Sequence, residues 1–183
     1  MSSDDKPQLL RPCLEWQRDG YIISTDSSLI STASLNGIFA DKGCYWANPL
    51  PETTLRRMLD NSLTFGLFES KAIKADMSGV GDTKDCLILV GLARCVTDMV
   101  TFMYVDDVWV SPEQRGNGLG KWLLECVRET MDQMPHLRRS MLHTQDWKRS
   151  VPFYEELLGM EVVNEGQSAS LAVMERKGPG AYC

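Results

Sequence analysis

Apolar positions along the chain follow two periods, and each marks a different kind of element. Between Leu119 and Met134 a helical stripe of apolar or neutral residues runs through Leu123, Cys126, Val127 and Thr130. Glu125, Arg128, Glu129 and Asp132 fall largely on the opposite side, which predicts an amphipathic helix stopped by Pro135. Shorter apolar runs predict strands at 21–25, 64–69, 87–97, 102–110 and 140–144, with terminal strands at about 161–164 and 168–176. Helical turns are expected over 28–40 and 51–61, the second capped by Asn48 or begun at Pro51. Residues 1–18 read as a loose N-terminal segment. The polar, glycine-bearing stretch 71–85 reads as an exposed hairpin loop. Helices flanking such strands predict an α/β domain of the α+β type, with a mixed central sheet of about six or seven strands.

The junction between the strand at 102–110 and the long helix carries the strongest chemical signal. Arg115, Gly116, Asn117, Gly118, Leu119, Gly120 and Lys121 form a basic, glycine-rich turn at a helix start. Glycine permits positive φ and lets a ligand approach the main chain without a Cβ in the way. First-turn N–H groups lack partners inside the helix, and the macrodipole adds roughly half a positive charge there. The turn therefore favours an anion such as a diphosphate. Other phosphate loops do not fit the spacing. A Walker loop needs a glycine five residues before Gly120, where Arg115 stands, and a dinucleotide fingerprint needs its third glycine one residue later.

Composition narrows the classes. At 183 residues the chain suits one domain, residues 1–183, with a full core. It has no apolar run long enough to span a bilayer, and its start lacks a signal-peptide core. Cys13, Cys44, Cys86, Cys95, Cys126 and Cys183 are scattered without C-x-x-C pairs. They read as reduced, mostly packed thiols of a cytoplasmic protein. Two histidines, His136 and His143, give little material for a metal site, so none is expected. A formal net charge of −6 argues against nucleic acid and fits a cationic substrate.

Asp106 and Asp107 interrupt an apolar strand, so at least one should face a polar cavity. Strict alternation places only one of them on a given face, and periodicity does not choose between them. Tyr45 and Trp46 precede a segment bounded by Pro49 and Pro51. Either ring can stack on a substrate or hold a cation on its face.

The run from Arg115 to Gly120 resembles the pyrophosphate loop of the GNAT superfamily of N-acetyltransferases, Gln/Arg-x-x-Gly-x-Gly/Ala. The strand before it, V-W-V-S-P-E-Q, has the family's apolar-x-apolar-x-Pro form. Downstream, V-P-F-Y-E-E-L-L-G-M is similar to the family's Phe-Tyr-x-x-x-Gly-Phe signature, with Met160 replacing phenylalanine. The match is specific from about Tyr104 to Val163.

The resemblance implies acetyl-CoA as acyl donor. Backbone groups of Val108, Trp109 and Val110 would pair with its pantetheine arm, and N–H groups from Arg115 to Lys121 would hold its pyrophosphate. It also implies that the strands at 102–110 and 140–144 splay apart to admit the thioester. Tyr154 is then the candidate acid beside the leaving sulfur. Spermidine/spermine acetyltransferases of the family carry a similar acidic pair, and another branch keeps only the position of Asp107. Asp107 is therefore preferred as base or amine-orienting group, with Asp106 second. Tyr45, Trp46 and Asp106 are the candidate substrate contacts, and His143 is read as structural.

The expected activity is N-acetylation of a small-molecule amine or amino acid in a ternary complex. The alternatives are another acyl donor or acceptor on the same fold, or an acyl-CoA-binding sensor without transfer activity. The final strands offer a surface for a homodimer.

Overall fold

The computed structural model describes residues 13–71, 87–164 and 171–181. Most of the predicted 71–85 loop lies outside them, as do Cys86 and Cys183. A short strand β1 (Glu15–Arg18) comes first, and the apolar runs become β2 (Tyr21–Ser24), β3 (Leu63–Ser70), β4 (Leu87–Thr97) and β5 (Phe102–Val110). Strands β6 (Arg139–Thr144), β7 (Glu161–Val162) and β8 (Ala172–Lys177) follow. They form one sheet in the order β1-β2-β3-β4-β5-β6-β8-β7, in which β5 and β6 are parallel and the other neighbours antiparallel.

The sheet thus has eight strands among the described residues, against the six or seven expected. The extra strand is β1, which pairs with β2 from within the stretch read as loose. Its sequence, EWQR, offers a single apolar side chain, too little alternation to betray an edge strand.

Among the described residues four helices cover the sheet: α1 (Thr32–Phe39), α2 (Glu52–Asp60), α3 (Leu119–Asp132) and α4 (Ser150–Leu158). The turns expected over 28–40 are divided into a short 3-10 turn, Ser27–Leu29, and α1, whose first turn is capped by the Ser31 hydroxyl. Helix α2 begins after Pro51, with no side-chain cap from Asn48. Helix α3 stops two residues short of Pro135, as its stripe predicts.

The two faces of the sheet bury separate cores. Leu123, Val127 and Met131 of α3 and Leu157 and Leu158 of α4 pack with Phe65, Leu67, Met103 and Val105. On the other face, Leu35 and Ile38 of α1 and Leu55 and Leu59 of α2 pack with Phe68 and Leu92, against which Trp109 also rests. One cavity is lined from both cores, by Phe39 of one and by Val105 and Leu119 of the other.

After β8 the chain turns back against the β6 entry. Gly178 N–H donates to Arg138 O at 3.0 Å and Gly180 N–H to Leu137 O at 2.9 Å. A Cβ on Gly178 would lie 2.2 Å from the Leu137 carbonyl oxygen. Gly178→Ala is therefore expected to destabilise the fold by about 1–3 kcal/mol. Urea denaturation should show a lower midpoint with the slope kept, and an unshifted midpoint would contradict the contact.

Candidate functional site

The site originates in a mismatch between two strands. Ala93 pairs with Val108 and Cys95 with Val105, so Arg94 alone stands opposite both Asp106 and Asp107. Such a bulge inserts one residue and switches the alternation of the bulged strand. Before it, Met103 and Val105 point into the α3 core; after it, Val108 and Val110 do so. Asp106 and Asp107 consequently emerge on the same face, that of α1 and α2, and both reach Arg94. The expectation that alternation would separate the two carboxylates is corrected by this bulge.

Beside the bulge the sheet opens. Strands β5 and β6 pair through Phe102–Arg139, Met103–Ser140 and Tyr104–Met141, and diverge beyond Tyr104. A cavity of about 1010 Å³ occupies the gap. It is lined on one side by Val108, Trp109, Val110 and the turn after them, and on the other by Tyr45 and Trp46. Asp106, Asp107 and Tyr154 also line it. Of the residues predicted for the site, Asn117 alone is not among the lining residues.

The turn has the geometry an anion needs. Gly116 has φ of +88° and Gly118 of +74°, values that side chains rarely allow. Arg115 N–H donates to Pro112 O, and the first helical bond runs from Trp122 N–H to Gly118 O. Among the described residues, the N–H groups between them enter no backbone hydrogen bond and lie at the start of α3. Arg115 is fixed beside them by its Nε, which donates to Val110 O at 3.1 Å. Arg18, unforeseen from the sequence, lies across the Trp122 ring at 4.7 Å and adds a cation close to Gly118.

At the other end lies a buried charge cluster. Arg94 Nε donates to Asp107 Oδ2 at 2.6 Å, and Trp46 Nε1 donates to Asp107 Oδ1 at 3.1 Å. Arg94 also donates to Asp106 and, at 3.3 Å, to the Ser62 hydroxyl. Burial first, and then the neighbouring Asp107 charge, hold the Asp106 carboxyl above the usual carboxylate range. The buried Cys44 thiol is pushed up to about 11, chiefly by desolvation, with Asp107 adding to the effect. At the mouth, the Tyr104 hydroxyl meets His143 Nδ1. The Tyr104 hydroxyl is held above its ordinary value by burial and by Asp106. Desolvation pushes the Tyr154 hydroxyl up to about 12.

Arg94, Tyr104 and His143 were not assigned to the site from the sequence, although all three line the cavity. Arg94 had left a signal. A lone cation in the run LILVGLARCVT needs a buried anion, and two anions stand in the next strand.

Comparison with known proteins agrees with this layout. The model of the acetyltransferase (GNAT) family matches residues 35–160. Protein FG08082 of Gibberella zeae, described by name as an acetyltransferase, is 36% identical over 173 residues, covering 91% of this chain and 94% of its own. The crystal structure of a GNAT-family protein from Xanthomonas campestris pv. campestris is 30% identical, with a TM-score of 0.57 and coverage of 90% of this chain and 97% of the other. Spermidine N-acetyltransferase from Vibrio cholerae, solved with CoA and spermine, shares the fold at 12% identity. Its TM-score is 0.60, over 86% of this chain and 95% of that one. Members of this family use acyl-CoA, and the open β5 edge and the convergent N–H groups fit such a ligand. The chain belongs to the GNAT family of acetyltransferases.

Proposed function

We propose that this protein is an acetyl-CoA-dependent N-acetyltransferase that acetylates a small amine by direct attack in a ternary complex. One observation carries the reading. A single cavity joins an anion-binding turn, the unpaired edge of β5, the Tyr154 hydroxyl and a carboxylate pair with one guanidinium between them. Acetyl-CoA bound there supplies an activated acyl carbon and a thiolate leaving group.

The remaining roles fall to side chains and main-chain groups of the protein. Main-chain N–H groups between Arg115 and Lys121 hold the pyrophosphate, with Arg115 and Arg18 adding charge. The β5 edge at Val108, Trp109 and Val110 lines up the pantetheine arm. An N–H of this edge near Val108 meets the thioester oxygen as charge builds on it. The amine nitrogen attacks the carbonyl carbon, the C–S bond breaks, and the amine gives up a proton.

Both oxygens of Asp107 are engaged, by Arg94 and Trp46. The role of amine contact and proton acceptor therefore passes from Asp107, preferred from the sequence, to Asp106. The upward shift of the Asp106 carboxyl makes it a better base than an ordinary carboxylate. Tyr154 offers its O–H to the departing sulfur. The scattered free thiols Cys13, Cys44, Cys95 and Cys126 support a reducing, cytoplasmic setting.

Incubation with acetyl-CoA and a panel of amines tests the proposal, with released thiol and acetylated product followed together. The expected product is an amide that survives hydroxylamine. A hydroxylamine-labile ester would indicate an O-linked acceptor. CoA binding without transfer to any acceptor would favour the sensor reading.

A further inference from the structure

We infer that Asp107 and Trp46 are positioning residues, and that the acceptor they shape a pocket for carries one positive charge on an apolar, aromatic-sized body. This rests on the acetyltransferase reading above.

The charges around the bulge do not cancel. Two carboxylates share the single guanidinium of Arg94, which leaves one negative charge. Asp107 is consumed structurally, its side chain 7% exposed and both oxygens bonded. Asp106 is 34% exposed and turns the surplus charge toward the cavity. A monocation completes the balance.

Among the described residues one cavity carboxylate lies outside the bulge, Asp146, whose Oδ1 accepts the N–H groups of Lys148 and Arg149 and which shares the lining with the Arg149 cation. The second charge of a polyamine would meet that carboxylate together with Arg149, whereas Asp106 carries the charge that Arg94 leaves uncancelled. A zwitterionic amino acid would bring its own carboxylate against Asp106 and Asp107.

The wall opposite is aromatic. Tyr45 is 63% and Trp46 41% exposed, with rings edge to face at 5.1 Å. Exposed rings of this size beside a carboxylate suit a cation on an apolar body. Phe39, Leu50 and Met58 continue that apolar lining. The bond from Trp46 Nε1 to Asp107 fixes the angle of the wall relative to Asp106.

Asp107 thus acts twice through its neighbours: it orients Trp46, and it occupies Arg94 so that Asp106 keeps its charge. In Asp107→Asn the guanidinium would be left to neutralise Asp106, and the attraction for a cation would fade. In Trp46→Phe the ring stays but its anchor is lost.

Calorimetric titration of CoA-saturated protein with 2-phenylethylamine, 2-phenylethanol, phenylalanine and spermidine tests the inference. The amine is expected to bind at least about tenfold tighter than each of the others, since one lost charge contact in a partly buried site is worth about 1.4 kcal/mol or more. Asp107→Asn and Asp106→Asn should each weaken it by about tenfold, and Trp46→Phe by several-fold, with CoA affinity unchanged. Once a turnover substrate is in hand, the effect of Asp107→Asn and Trp46→Phe should fall on the acceptor KM more than on kcat. Three results would overturn the inference: no binding of 2-phenylethylamine, equal or tighter binding of another probe, or wild-type affinity in both Asp107→Asn and Trp46→Phe. Loss of CoA binding in the wild-type protein would strike the acetyltransferase reading instead.

Discussion

Tyr154→Phe is expected to lower kcat by about 10²- to 10³-fold, in line with the loss of one preorganised donor to a developing anion. The acetyl-CoA affinity should stay within about twofold, because the pyrophosphate and pantetheine contacts lie elsewhere. Desolvation pushes the Tyr154 hydroxyl up to about 12, so it remains protonated across the physiological range. A free thiol titrates near about 8.5. Full proton transfer from so weak an acid to the sulfur is uphill, so the role proposed for Tyr154 is that of a hydrogen-bond donor to the nascent thiolate. The rate should accordingly show no fall from tyrosine ionisation until the pH approaches about 12.

The same shift has a sign for stability. Folding binds this proton more tightly than the unfolded chain does. Its contribution is therefore intact below the ordinary tyrosine value and is lost as the pH climbs from 10.0 toward about 12. Thermal melts between pH 9 and 12 should show Tyr154→Phe losing less stability than the wild type. A fully active Tyr154→Phe enzyme would remove the residue from the chemistry.

Arg94→Met is expected to destabilise the protein by about 3–5 kcal/mol, since a buried carboxylate stripped of its partner is left uncompensated. For a domain of this size that corresponds to a fall of roughly 10 °C in Tm. Arg94 and Asp107 are 9% and 5% exposed, so water cannot take over the lost contact. The penalty should shrink in Arg94→Met combined with Asp107→Asn, because the two sites are coupled through one ion pair. If the single variant melts with the wild type, the ion pair is not what holds the bulge.

What the sequence revealed and what it concealed divide along physical lines. Helix α3 and strands β4 and β5 were legible nearly to the residue, because each is long, strongly patterned and bounded by proline, glycine or charge. The glycine-rich turn was legible because its residues are consecutive, Arg115 to Lys121, and two of its glycines adopt the positive φ expected of them. The bulge was hidden because it is a property of the register between β4 and β5 and appears in neither strand alone. With it went the true relation of Asp106 to Asp107, which one-strand alternation had placed on opposite faces. Arg94 is near the acids only across the strand pair, and Arg18 reaches the turn only because β1 adds to the sheet edge. Asn117, which completes the loop motif in sequence, is not among the residues that line the cavity.

The proposed activity depends most directly on the main-chain cradle at the start of α3. Isothermal titration of the folded protein with CoA tests it directly, beside a variant in which Gly118→Val forbids the positive φ the cradle needs. The account predicts a dissociation constant of about 10 µM or below for the wild type, on the order of −7 kcal/mol, weakened at least tenfold in the variant. Undetectable heat with the wild type, or equal affinity in the two proteins, would contradict it.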